Sequence, residues 1–148
     1  MINVIYRDTI IEGQVFDKVK YSGESVWRSK FNKCTWNKCK FEKFSFANGT
    51  VIEECVFNEC KFLGQYMYFG GPAIYRNVKF TNCTIKNANF WKTELHNVTI
   101  SGSIENVVFY GDQVDVSLRT VATNLVLSDA KLIDCDFRKG FLKPQGFA

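Results

Sequence analysis

The sequence predicts an all-β chain that turns a corner every five residues and winds into a four-sided coil. Three observations carry this expectation. Large apolar residues recur every five positions, as Tyr6, Ile11, Phe16, Tyr21, Val26, Phe31, Trp36, Phe41 and Phe46, and one extra residue later as Ile52, Phe57 and Phe62. A third run reads Phe80, Ile85, Phe90, Leu95 and Ile100; Ile104 and Phe109 close it, and Leu127, Leu132, Phe137 and Leu142 follow. A second register lies two residues before the first and is mostly small, including Cys34, Cys39, Thr50, Cys55, Cys60, Val78, Cys83, Ala88, Thr93 and Cys135. Finally, the 148 residues include 14 Phe and only 2 Pro, with Cys, Thr, Val and Asn frequent and Leu scarce, a mix that disfavours helices.

A period of five matches neither the 3.6 of a helix nor the 2 of a lone strand. Residues two apart share one face of an extended segment, so each side sends in one large and one small residue and leaves the others to solvent. Four sides make a coil of about 20 residues, and coils stack at the ~4.8 Å spacing of paired strands, giving about seven coils and a prism roughly 35 Å tall. Tyr6, Val26 and Phe46 should share one ladder, and Phe16, Trp36 and Phe57 another. Gln14, Glu24 and Phe44 break the small register, which predicts local distortion or relief near an end.

The stretches "CKF", "CVF", "CTI", "ANF" and "CDF", within a match from Val4 to Leu142, resemble the pentapeptide repeat family. That family's consensus is a small residue, Asp or Asn, then Leu or Phe, then two variable positions. The resemblance implies a right-handed quadrilateral β-helix, here a single domain over residues 1–148 with two interruptions.

Those interruptions fall near 63–77 and 110–124, and function in a repeat stack concentrates where the unit is broken. The first holds Tyr66, Met67, Tyr68, Phe69, Tyr75 and Arg76 around Gly70, Gly71 and Pro72. Aromatics, Met and Arg are the residues that anchor protein interfaces. The competing reading puts some of these rings in the core of an irregular coil. Trp27, Trp91 and Tyr110 each follow a central position and should face solvent, with Trp91 and Tyr110 stacked one above the other. These nine residues are the expected partner-binding set.

Catalytic and cofactor chemistry finds little support. All six cysteines fall in the small inward register at spacings that put neighbours on successive sides, so they read as small buried hydrophobes, not metal ligands. His96 is the only histidine, and no glycine-rich phosphate loop or G-x-S-x-G motif occurs. We expect no enzyme, cofactor or metal. Basic residues are dense from Arg28 to Lys43, yet Lys33, Lys38 and Lys43 occupy successive corners, a girdle that disfavours nucleic acid at a net charge of +4. No segment reads as a membrane span or signal peptide, which gives a cytoplasmic expectation with reduced thiols.

The function expected is a non-catalytic protein-binding module, in the first place an inhibitor or immunity protein that blocks a partner protein or enzyme such as a bacterial toxin. The resemblance also implies an alternative, a DNA gyrase or topoisomerase-interacting protein of the quinolone-resistance type. Against it, the chain is basic where DNA mimicry wants acid. A third class is a structural or assembly module, with homodimerisation through an open coil end.

Overall fold

The protein's structure, a computed structural model, describes residues 3–63, 67–69, 72–109 and 120–137, with the side chains of Asn3, Met67 and Tyr68 left out. Five-residue periodicity becomes geometry at the corners. Asp8, Lys18, Arg28, Lys33, Lys38, Lys43, Glu54, Glu59, Asn77, Asn82, Asn87, Lys92 and Asn97 all have φ between 47° and 56°. Each lies two residues after a large inward residue. One left-handed residue per five bends the extended chain through a corner, and no regular helix or flat strand tolerates such a residue at that frequency.

The first turn consists of β1 (Asn3–Arg7), β2 (Ile10–Glu12), β3 (Val15–Asp17) and β4 (Lys20–Ser22). The second repeats it as β5 (Glu24–Trp27), β6 (Lys30–Asn32), β7 (Thr35–Asn37) and β8 (Lys40–Glu42), and the third as β9 (Ser45–Ala47), β10 (Thr50–Glu53), β11 (Val56–Asn58) and β12 (Lys61–Leu63). After the short β13 (Met67–Tyr68), two long strands, β14 (Ala73–Phe90) and β15 (Thr93–Phe109), each pass along all four walls. Then β16 (Val121–Val126), β17 (Ala130–Ile133) and β18 (Asp136–Phe137) add further rungs. All pairing is parallel and runs from one turn to the next: β1 to β5, β2 to β6, β3 to β7, β4 to β8. Five circuits lead from β1 back to the first wall at Phe109, which pairs in turn with Phe137, so the stack is shorter than the seven coils expected.

The register realises both expected ladders. Val26 pairs with Tyr6 and with Phe46, and Trp36 with Phe16 and Phe57. Because parallel rungs repeat at ~4.8 Å, rings in one ladder lie face to face. Trp36–Phe57, Phe57–Phe80 and Phe41–Phe62 stack at 4.4, 4.7 and 4.7 Å with interplanar angles of 4°, 3° and 7°. The interior is thus packed with rings that form one contiguous core among the described residues.

The small register closes the corners. Cys55 Sγ donates to Phe31 O at 3.4 Å in the turn below and to Glu53 O at 3.2 Å in its own; Cys60 and Cys83 bridge successive turns in the same way. Burial raises the Cys55 thiol to about 12, so it stays protonated. Gly102 is the extreme of this register: its φ is +111°, and a Cβ there would lie 2.1 Å from Cys83 O. The three departures fall between the first and the third turn. A register shift between Val4 and Tyr6 loosens the first turn, and the Glu24 carboxylate turns aside to accept the Ser22 N–H at 3.1 Å. Phe44, one rung above Glu24, is buried against Tyr21, Phe41 and Phe46. Gln14 remains exposed on the first turn.

Candidate partner-binding surface

Two of the residues expected to face a partner belong to the core. Phe69 and Tyr75 are both 0% exposed. Phe69 stacks on Phe90 at 4.4 Å, and Tyr75 pairs in register with Ile52 below and Leu95 above. The reason was available in the sequence: Tyr75 lies five residues before Phe80 and so opens that run, while two inserted residues separate Phe69 from the register of Phe62. The regular pairing of β14 accordingly begins at Ala73. Burial raises the Tyr75 phenol well above its ordinary value, and its hydroxyl has no hydrogen-bond partner among the described residues.

The others do not converge on one point. Tyr66 and Tyr110 lie outside the described residues, as do the side chains of Met67 and Tyr68, whose backbone forms β13. Arg76 is exposed on the second wall, in register with Glu53 below and His96 above. Trp27 and Trp91 are half-buried at the same edge of the first wall, three rungs apart, or ~14 Å at the strand spacing. Trp27 Nε1 donates to Ser25 Oγ at 3.0 Å, and the Arg7 guanidinium covers the ring at 4.8 Å from its centroid. Phe90 and Phe109, the residues before Trp91 and Tyr110, pair and stack at 4.6 Å, while the expected Trp91–Tyr110 stack itself lies outside the described residues.

What the walls offer instead is columns. Outward residues repeat about every 20 positions, so side chains far apart in sequence become vertical neighbours. Arg28 Nε donates to Asp8 Oδ1 at 2.8 Å, Lys30 reaches Glu53 at 3.1 Å and Lys86 reaches Glu105 at 3.0 Å, each pair on adjacent rungs. The Arg28 bond holds the Asp8 carboxyl below the usual range, and Lys40, 2.8 Å away along the same strand, does the same to Glu42. Corner asparagines form amide ladders: Asn97 Nδ2 donates to Asn77 Oδ1 and Asn124 Nδ2 to Asn97 Oδ1, both at 2.7 Å.

The fourth wall departs from this pattern. Its register places Lys20 on Lys40 and Lys40 on Lys61, three cations in consecutive rungs. A groove of about 500 Å³ opens beside them, lined by Lys38, Lys40, Glu59, Lys61, Asn82 and Thr84 together with the corner residues Cys39 and Cys60. Reading the basic stretch along the chain finds the girdle of corner lysines; the column appears only when positions 20, 40 and 61 are compared at the coil period. Large apolar side chains are also exposed on the first turn, where Ile10 is 75% and Val15 65% accessible.

A left-handed corner every five residues, four walls per turn and parallel register from turn to turn decide the architecture. The chain is a four-sided parallel β-helix built on a five-residue repeat. No protein-family profile and no curated sequence matches it. Among solved structures, a trypsin-treated variant of QnrB1, a plasmid-mediated fluoroquinolone resistance protein, is 11% identical over 94% of this chain and 92% of its own, with a TM-score of 0.26. HetL, a pentapeptide repeat protein involved in heterocyst differentiation regulation from the cyanobacterium Nostoc sp., is 9% identical over 98% and 91%, also at 0.26. A second QnrB1 variant is 11% identical over 90% and 92%, at 0.24. The fold assignment rests on the register and corners of this chain itself.

Proposed function

We propose that this chain is a non-catalytic protein-binding module of the inhibitor or immunity type, acting in the cytoplasm by covering a partner protein such as a bacterial toxin. One observation carries the reading: the described chemistry-bearing groups are consumed by architecture. Cys34, Cys39, Cys55, Cys60 and Cys83 are buried in corners, and Cys135 Sγ donates to Ile104 O at 3.3 Å. Burial raises the thiols of Cys39 and Cys135, and the Cys83 thiol together with burial raises that of Cys60, which removes the thiolate that nucleophilic or metal-binding chemistry needs. His96 is engaged with Glu94 at 3.0 Å on an open wall. Against that inert interior stand four walls of columns whose side chains are held at fixed spacing by the stack, which is the preorganisation a tight protein interface exploits.

Affinity capture from the producing cell, followed by titration calorimetry with the purified partner, tests this reading. A 1:1 complex that abolishes the partner's activity at stoichiometric ratio supports it; turnover of a substrate by the chain alone, or no saturable protein complex, overturns it. A supercoiling assay with DNA gyrase addresses the quinolone-resistance alternative: protection or inhibition at micromolar protein would move the partner to that enzyme.

A further inference from the structure

We propose that the lysine column of the fourth wall and its adjoining groove form a binding site for a run of carboxylates on an acidic segment of a partner protein. The inference deepens the protein-binding reading and rests on it. Like charges directly opposed on neighbouring strands destabilise a sheet. The other walls obey that rule, with Arg28 over Asp8 and Lys30 against Glu53. Lys86 against Glu105 obeys it farther up the fourth wall itself. Among the described residues, only at Lys20, Lys40 and Lys61 does the register set three cations in succession, at intervals of ~4.8 Å.

Of these, Lys40 is bonded to Glu42, whereas Lys20 and Lys61 form no ion pair among the described residues. Lys18 and Lys38 lie on the corner beside the column and likewise form no ion pair, so four ammonium groups without one surround Lys40, with Lys20 acting on Glu42 only at longer range. The groove continues the column upward with neutral donors, Thr84 in register above Lys61 and Asn82 on the adjoining corner. Ammonium groups followed by amide and hydroxyl donors match a ligand that is anionic at one end and polar at the other.

Its length selects the ligand class. Three rungs span ~10 Å, room for two or three carboxylates of an extended segment but short for a phosphodiester backbone, whose affinity grows with the number of phosphates neutralised. Glu42 and Glu59 at the margins would also repel a continuous polyanion, while they leave a short acidic run in place. Mutual repulsion of the lysines is relieved when such a run binds, so binding and stability are coupled through salt.

The test measures anisotropy of a fluorescein-labelled polyglutamate peptide of about ten residues at low salt, with a single-stranded oligonucleotide of equal charge for comparison. The account expects saturable peptide binding, weakened at least tenfold in the Lys20→Gln/Lys40→Gln/Lys61→Gln variant. A charge-matched control, Lys33→Gln/Lys79→Gln/Lys92→Gln, takes its lysines from other walls and corners and should change affinity less than twofold. The fourth-wall variant should also melt at a higher temperature than the parent at low salt, a difference that vanishes at high salt. Equal losses in both variants, or tighter binding of the oligonucleotide than of the peptide, overturn the inference. Partner capture that survives the fourth-wall substitutions would sink the column and leave the module reading standing; peptide binding with no natural protein partner would do the reverse.

Discussion

At the scale of single residues, the corner is the unit that the sequence must solve. A left-handed conformation costs an ordinary L-residue ~1–2 kcal/mol, less for Asn, whose short amide bonds locally. Lys, Arg and Glu fill most corners of the first three turns, and Asn fills most of those from Asn77 onward. Glu54 lies directly beneath the ladder of Asn77, Asn97 and Asn124. Glu54→Asn should therefore raise stability by ~1 kcal/mol, through easier backbone geometry and one more amide bond, read as a higher denaturant midpoint at unchanged m-value. Gly102→Ala should do the opposite, costing ~3 kcal/mol or more, because a methyl 2.1 Å from Cys83 O forces the rungs apart. The buried thiols add a pH signature. With folded pKa values raised, as for Cys55 at about 12, the folded state keeps protons that the unfolded chain releases. Their stabilisation is complete below the unfolded thiol range near 8.5 and is lost as pH rises toward the folded values. The melting temperature should fall steadily above pH ~9, and a thiol reagent at neutral pH should label Cys34, Cys39, Cys55, Cys60 and Cys83 only on unfolding.

At the scale of the element, the strands from β2 to β12 are three or four residues long and would not persist alone; each exists because the side chain at its centre stacks on those above and below. Trp36 shows the dependence, lying between Phe16 at 5.2 Å and Phe57 at 4.4 Å. Trp36→Ala should cost ~3–5 kcal/mol, with hydrogen exchange accelerating first in β3, β7 and β11. This level of organisation was legible in the sequence, since one inward ring per five residues names both the ladders and the corners. Phe69 and Tyr75 were misplaced for a physical reason: insertions around the Gly-Gly-Pro turn shift the phase, and a ring looks the same whether it anchors a partner or resumes the stack. The lysine column was hidden by a different cause. Its members are linked by the coil period and not by the five-residue period, so Lys20, Lys40 and Lys61 become neighbours only when the turns are stacked.

At the scale of the whole molecule, parallel pairing of every turn with the next makes the prism a one-dimensional stack in which each rung stabilises its neighbours. Such a body changes shape little on binding, so affinity depends on which columns it presents. Among the described residues, rungs are joined by scattered ion pairs and corner amide ladders, and the fourth wall of the first three turns, with three lysines in succession, is the departure on which the proposed partner site rests. Hydrogen exchange of the chain, free and saturated with its captured partner, tests this claim most directly. The account predicts that added protection centres on β4, β8 and β12 and is lost with Lys20→Gln/Lys40→Gln/Lys61→Gln. Protection centred on another wall, and unaffected by those substitutions, would contradict it.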